Sequence, residues 1–399
     1  MGRKIGGTAV SSKVLAVVVA KKRSDGLTQQ QVVEWFENEH NITISQPEIS
    51  RLEKDAVEGG FLRRDPTFLP GKVPVGFLPK ARALYAHEPM TKAVDVWVGA
   101  GRKVNIEVEE TDDQDEFARR AAGWLVNLIQ RHPNIRGLGV LWSRTLNNVV
   151  KEIAKAYEGH PPCPPAEFPN LRCVPLCGDP VYQDELATAE SSASVLAARL
   201  EMALTGKHCT PNAPSLGGVW AYLKNTPNRE DRRAFIEELP NYQKIFKSEE
   251  RLLDTLDGIL TGVGIVDLKN EVHTGTFIRE MIQQGDSTYE RVDAISHGDI
   301  SGNLVRKEFL RQDQIDHVNM LNAGLTGIRY ADFQAVASRP PGVLVIAAAH
   351  LKKARLLLQL AKEGVANEIF IDGILANEMS RILREDLMTT DGATIVRPS

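Results

Sequence analysis

No apolar run in this sequence approaches the ~18–20 residues that a helix needs to cross a bilayer. The run Val14-Leu15-Ala16-Val17-Val18-Val19-Ala20 is seven residues long. It follows a basic N-terminus and so imitates a signal peptide, but Lys21-Lys22-Arg23 stand where a small-residue cleavage site belongs. A buried first helix is the expected outcome, with no membrane partner. Cysteine is scarce as well. Cys163, Cys173, Cys177 and Cys209 are the only four, too few for a disulfide scaffold in a chain of this size. Cys173 and Cys177 have no second ligand pair at metal spacing, so free thiols in a reducing cytoplasm are expected, with no metal and no cofactor. No repeat of fixed period is present. Strong net charge is missing too: the formal value is −4, which excludes a protein that binds nucleic acid through overall charge.

What is present is ordinary in bulk and uneven in detail. At 399 residues, with 42% hydrophobic and 25% charged residues, the chain is sized for two or three globular domains. Positive charge gathers at one end: residues 1–23 hold six basic residues and no acid. Phosphate contact depends on local charge, so this segment matters more than the total.

The stretch 28–60 follows directly. Thr28 is placed to cap a helix by accepting backbone N–H groups, and Val32, Val33 and Phe36 give that helix an apolar stripe. Residues 36–41 are polar and predict an enlarged connection. Ser45 then stands as an N-cap, with Pro47 at a permitted early position. Ile49, Leu52 and Ala56 fall on the core face of the second helix, and Gly59-Gly60 end it. Two helices so joined are a device for placing a helix in a DNA major groove. The candidate contacts are Ser45, Gln46, Glu48, Ser50, Arg51 and Lys54. Arg63 is added from Phe61-Leu62-Arg63-Arg64, which reads as the first strand of a wing. Arg and Gln pair with guanine and adenine edges respectively.

Residues 66–80 are rich in Pro and Gly and read as a linker; a strand candidate lies within 94–108. From residue 117 the pattern alternates. Helices are expected at 117–131, 145–157, 192–204, 225–238, 351–363 and 373–384. Strands are expected at 138–141, 171–176, within 256–266, at 343–348 and at 368–371. Strands alternating with helices predict an α/β fold with a parallel sheet covered on both faces. In such sheets ligands sit beyond the carboxyl ends of the strands. Those positions carry Trp142, Ser143, Arg144 and Thr145; Gly178 and Asp179; Gly262 and Gly264; Asp299, in a stretch 297–302 that reads as a polar turn; His350 and Lys353; and Asp372. Singly, each has a plain structural reading, Asp299 as a turn former and Lys353 as a solvated lysine. Their shared place at strand ends is what marks them.

With these motifs in hand, the sequence resembles the SorC-type family of sugar-binding transcriptional regulators. The resemblance rests on 44–52 with Ala56 and Gly59-Gly60, on 142–146, on Gly262-Val263-Gly264, on Gly298-Asp299-Ile300-Ser301-Gly302, and on Lys353 and Asp372. It implies an N-terminal all-α winged helix-turn-helix domain at 1–65. A linker and oligomerisation segment would follow at 66–110, then an effector domain at 111–399. That last domain would be related in fold to ribose-phosphate and glucosamine-phosphate isomerases. Double-stranded operator DNA, a sugar or sugar-phosphate effector, and a homodimer or homotetramer follow from the resemblance. The chain departs from the pattern at Leu141 and Ser143, where the family often has glycines in a phosphate-facing loop, and at Ala349 and His350, where it often has Gly-Gly. Those side chains imply an unusual or unphosphorylated effector. The rival reading is a sugar-phosphate isomerase-like enzyme on the same fold, with His297, Asp299 and Lys353 as acid–base groups; the helix pair and basic arm favour the non-enzymatic regulator.

Overall fold

The structure is a computed structural model. It describes residues 3–5, 8–10, 12–24, 27–40, 43–59, 62, 91, 94, 104–111, 113–157, 168, 170–180, 192–206, 213–348 and 350–392. The chain divides into two compact units, Met1–Lys92 and Ala93–Ser399.

The first unit opens with an antiparallel pair, β1 (Arg3–Ile5) and β2 (Thr8–Val10). Three helices follow: α1 (Ser12–Ser24), α2 (Gln29–His40) and α3 (Gln46–Glu58). The apolar run 14–20 is buried along its whole length within α1. It joins Val32, Phe36, Ile44, Ile49, Leu52 and Ala56 in one core. Thr28 caps α2 as expected: its Oγ1 accepts the Gln31 N–H at 3.2 Å, and Gln31 Oε1 accepts the Thr28 N–H at 2.8 Å. Reciprocal bonds of this kind satisfy two donors that a helix start otherwise leaves open. Two expectations are corrected. The polar stretch after Phe36 is not a connection: α2 runs on to His40, because Glu37-Asn38-Glu39 carries no apolar residue and so shows no period, yet nothing in it breaks a helix. Ser45 occupies the N-cap of α3 with extended backbone but makes no side-chain cap bond. The wing strand at 61–64 and the linker at 66–80 lie outside the described residues, apart from Leu62, which is buried.

The second unit is built on a six-stranded parallel sheet in the order β3-β11-β10-β6-β4-β5. Its strands, with the helices between them, come along the chain as β3 (Asn105–Glu109), α4 (Gln114–Arg131), β4 (Gly137–Val140), α5 (Arg144–Tyr157), β5 (Arg172–Pro175), α6 (Ala193–Thr205), α7 (Arg229–Glu238) and β6 (Gly258–Thr261). After β6 the chain steps through β7 (Val263–Gly264), α8 (Thr276–Gln283), α9 (Tyr289–Ile295), β8 (Ser296–Ile300), β9 (Asn303–Arg306), α10 (Gln312–Ala323) and α11 (Tyr330–Ala337). It then returns to the sheet with β10 (Gly342–Ala347), α12 (Lys353–Lys362), β11 (Glu368–Asp372) and α13 (Gly373–Gly392). The α/β class with a parallel sheet is therefore as expected. β3 corresponds to the strand candidate expected within 94–108, and it pairs with β11 at the sheet edge, so this part of the 66–110 span belongs to the sheet.

Both faces of the sheet are covered, which explains the near-continuous apolar strands. Leu260, Leu344, Ile346 and Phe370 join the apolar sides of α4, α5 and α6; alternate residues Ile259, Val343, Val345 and Ile369 are buried as well. The antiparallel sheet β7-β8-β9 is the part that sequence reading missed. The stretch 297–302, read as a polar turn, is mostly strand β8; only Ser301-Gly302 turn, with φ of 49° and 83°. Positive φ at both central residues is what a two-residue hairpin with the right twist needs. A second apolar cluster, including Val266, Ile278, Met281 and Leu304, lies under this hairpin.

Leu52 is fully buried in the first unit's core. Leu52→Ala should lower the stability of that unit by about 2–5 kcal/mol. Hydrogen exchange of peptides from α1 and α3 would report it; unchanged protection would contradict the packing described.

Candidate functional site

A cavity of about 290 Å³ opens beyond the carboxyl ends of β4, β6 and β10. Its lining includes nine of the twelve residues expected for effector binding: Trp142, Ser143, Arg144, Thr145, Gly262, Gly264, Asp299, His350 and Lys353. Gly178, Asp179 and Asp372 stand outside the lining. Gly178 is a close-approach glycine, since a Cβ there would lie 2.3 Å from the Val219 carbonyl oxygen. Asp179 receives the Gly218 N–H at 3.1 Å and so holds a neighbouring loop. Asp372 is buried and caps α13 by accepting the Leu375 N–H at 2.8 Å.

Each wall has a local cause. The turn after β4 leads straight into α5, where Ser143 Oγ accepts the Leu146 N–H at 3.1 Å. Ser143 also packs over Gly262, where an added Cβ would come within 2.6 Å of its hydroxyl. Arg144 reaches the His273 carbonyl at 3.5 Å. The Trp142 side chain is buried, and its indole N–H has no partner.

The floor is Asp299, which is no surface turn former. It lies in β8 opposite Gly264 of β7 and is 2% exposed. Gly264 and Gly275 admit its carboxylate: a Cβ on either would come within 2.1 Å and 2.8 Å of Oδ1. Oδ2 accepts the Gly302 N–H at 2.6 Å, while Oδ1 has no partner. Burial raises the carboxyl to about 6, against the opposing pull of the Gly302 N–H and Lys353. Lys353, at the start of α12, gives its ammonium to the Ala348 carbonyl at 2.7 Å. Burial draws it down to about 8; Asp372 and Asp299 oppose this and Arg144 adds to it.

The rim holds a cluster that sequence reading did not assemble. Asp267 Oδ2 lies 3.2 Å from His350 Nε2 and 3.4 Å from His273 Nδ1. The Lys352 N–H donates to His350 Nδ1 at 3.3 Å, so the His350 proton sits on Nε2 and is directed at Asp267. Burial alone would raise Asp267, but the Lys269 N–H, His350 and the Asn270 N–H hold it at about 2. Lys352 ties the two rim segments together through the Val266 carbonyl at 3.1 Å and Asp293 at 2.9 Å. Gln114, Asn148, Thr276, Phe277 and Ser301 also line the cavity. Of these Asn148 was within reach of sequence reasoning, four residues after Arg144 on one helix face. His297, a candidate of the enzyme reading, is outside the lining and pairs with Glu308 at 3.2 Å. Among the described residues no cluster of His, Cys, Asp or Glu is arranged to hold a metal ion. Cys173 and Cys177 are free and buried, and burial pushes the Cys177 thiol up to about 12; Cys163 and Cys209 lie outside the described residues.

In the first unit, Gln46, Ser50, Arg51 and Lys54 are exposed along one side of α3, and Ser45 is exposed beside them. Glu48 is half-buried and lies 4.0 Å from Arg51. Lys54 pairs loosely with Glu58 at 3.7 Å. Glu53, on the inner side, is held by Arg23 at 2.9 Å and by Gln29 at 2.7 Å. Arg63 lies outside the described residues. No helix among the described residues is long and apolar enough to cross a membrane.

No family model and no curated protein matches the chain. Solved structures do. The full-length sorbitol operon regulator SorC from Klebsiella pneumoniae aligns with a TM-score of 0.52 at 16% identity, covering 92% of this chain and 99% of that one. A DeoR family transcriptional regulator from Listeria monocytogenes aligns at 0.48 and 15% identity, over 73% and 98%. A transcriptional regulator from Streptococcus pneumoniae aligns at 0.47 and 17% identity, over 75% and 97%. These solved structures bear the names of transcriptional regulators, SorC and a DeoR family member among them. The first alignment carries a shared fold along nearly the whole chain; at 16% identity it carries the fold alone.

Asp299 also makes a checkable demand on stability. Burial holds its carboxyl at about 6 in the folded chain, against the ordinary 3.8 of an exposed aspartate. The folded state therefore binds the proton more tightly, and the protein is most stable below pH 3.8 with respect to this group. That advantage is lost as pH rises through about 6. Asp299→Asn should remove this slope and raise stability at neutral pH by on the order of 2–3 kcal/mol. Denaturant midpoints for both proteins across pH would show it; parallel curves would refute it.

Proposed function

We propose that the chain is a ligand-responsive, DNA-binding transcriptional regulator. In this reading residues 1–65 are the helix-turn-helix domain, 66–110 hold the linker and oligomerisation function, and the remainder senses a sugar, a sugar phosphate or a related small molecule. The observation that carries it is the polar row on α3. Ile49, Leu52 and Ala56 are spent on the core, which leaves Gln46, Ser50, Arg51 and Lys54 facing outward at groove-reading spacing. The fold likeness to a full-length regulator, over 92% of this chain, supports it further.

The cavity supports the sensing half. Asp299 Oδ1 is buried without a partner in a residue that lines the cavity, which supports a ligand-binding role for it. Binding of an effector acts on DNA affinity only through its differing affinity for two arrangements of the oligomer. Dimerisation through the second unit would place two copies of α3 on a near-palindromic operator. The isomerase-like alternative loses support because His297 pairs with Glu308 outside the cavity.

Selection of genomic fragments by the purified chain, followed by gel shifts at several salt concentrations, tests the proposal. Sequence-selective binding that weakens steeply with salt is expected. Arg51→Ala should weaken the selected operator by about tenfold or more. Absence of selective binding by any fragment would sink the reading.

A further inference from the structure

The outward side of α3 is not uniform along its length. Pro47, Ser50, Arg51 and Lys54 stand at i, i+3, i+4 and i+7 and so form one stripe on a helix, and all of them are exposed. Ile49, Leu52 and Ala56 take the opposite side into the core. Gln46, also exposed, flanks the head of the stripe. Charge divides the helix by length. Arg51 and Lys54 are the cations of the stripe. The exposed acids Asp55 and Glu58 gather toward the last turn, and Glu58 lies 3.7 Å from Lys54. The acid of the first turn, Glu48, is half-buried on the flank, 4.0 Å from Arg51. Phosphates repel the acidic end, so α3 approaches a duplex with its N-terminal turns leading.

Pro47 heads that leading end, and it is the apolar member of an otherwise polar stripe. Its missing N–H is tolerated in a first turn, which accounts for the proline but gives its ring nothing to pack on. The base edges in the major groove are polar except for the C5 methyl of thymine. A pyrrolidine ring offers no hydrogen bond. Laid against a cytosine amino group or a guanine oxygen it would strip water from that group and replace nothing. Against a methyl group it buries apolar surface on apolar surface. Resting on the reading of α3 as the groove helix, we propose that Pro47 is a specificity-determining DNA contact whose ring packs on one thymine methyl in each half-site. Gln46, in the same turn, is placed for an adenine edge beside it. Arg51, about one turn on and roughly 6 Å along the axis, is placed for a guanine about two base pairs away.

This contact differs from hydrogen-bond readout in what it depends on. Deoxyuridine pairs with adenine as thymine does and keeps the same O4 acceptor, but it lacks the methyl. Replacing thymine by deoxyuridine at the contacted position therefore removes the apolar contact and leaves every hydrogen bond in place. The loss expected for one buried methyl is roughly fourfold in affinity per half-site. Lys54, beside Glu58 at the trailing end, meets phosphates, and its effect is the same for every sequence.

The test takes the fragment selected by the full chain, trims it to the protected duplex, and replaces its thymines one at a time by deoxyuridine. Gel shifts should show one thymine per half-site at which the replacement weakens binding by roughly fourfold. Pro47→Ser should bind the thymine duplex more weakly by a similar factor and no longer distinguish thymine from deoxyuridine there. Arg51→Ala should keep that distinction, and Lys54→Ala should weaken all duplexes alike. The deoxyuridine series needs no altered protein, so it decides the matter even where a variant fails to fold. Equal binding of every deoxyuridine duplex, or an undiminished thymine preference in folded Pro47→Ser, overturns this proposal and leaves the regulator reading standing. Failure of the chain to select any fragment overturns both.

Discussion

The second unit depends on the way Asp299 is seated. Its strand pairs with β7, and β7 continues from β6 with only Gly262 between them. The Asp299 carboxylate closes the hairpin turn by taking the Gly302 N–H, and the Thr261 and Ser301 hydroxyls meet at 3.0 Å alongside. The Thr261–Ser301 contact thus ties the turn of the antiparallel hairpin to strand β6 of the parallel sheet. Gly264 and Gly275 have no Cβ at the places where a Cβ would collide with the Asp299 carboxylate. Burying a carboxylate with one oxygen unpaired carries a free-energy cost of about 1–3 kcal/mol or more. The fold tolerates this cost at the floor of its cavity, where stability is commonly given up for binding.

Around that seat the cavity is shaped by elements with other duties. β4, β6 and β10 end together because they are neighbours in a parallel sheet, and the apolar runs that place them there are needed by the core. Ser143 caps α5 and at the same moment narrows the approach to Gly262. Asp267 orders its own loop through the Lys269 and Asn270 N–H groups while holding both rim histidines. Structural bonds therefore engage Ser143, Ser301, His273 and His350 of the lining. Among the buried atoms of the lining residues, the Trp142 indole N–H and Asp299 Oδ1 are left without a partner.

Much of this was readable in advance. The core stripe of α3, the Thr28 cap, the apolar strands and nine lining residues all follow from local rules: period, capping chemistry and the tendency of ligands to sit at strand ends. The misses share a cause. The last turn of α2 has no apolar residue and shows no period. The 296–306 hairpin has glycine and polar residues where strands usually have β-branched ones, because Gly298 and Asp299 serve close packing and a buried charge rather than propensity. Asp267 lies in a loop and His273 ends a short 3-10 turn, and nothing local says they will meet His350, 83 residues from Asp267.

By itself, then, the sequence determined the classes of element and their faces, since helix and strand periods are local properties of side chains and backbone. It also determined that residue types suited to groove reading and to ligand contact stand at helix faces and strand ends. Only the tertiary structure decided that Asp299 is buried, that Gly178, Asp179 and Asp372 stand apart from the cavity, and that Lys353 and Arg144 each give a hydrogen bond to a backbone carbonyl. Burial, charge balance and hydrogen-bond satisfaction arise from contacts between segments far apart in the chain, and no window of sequence contains them.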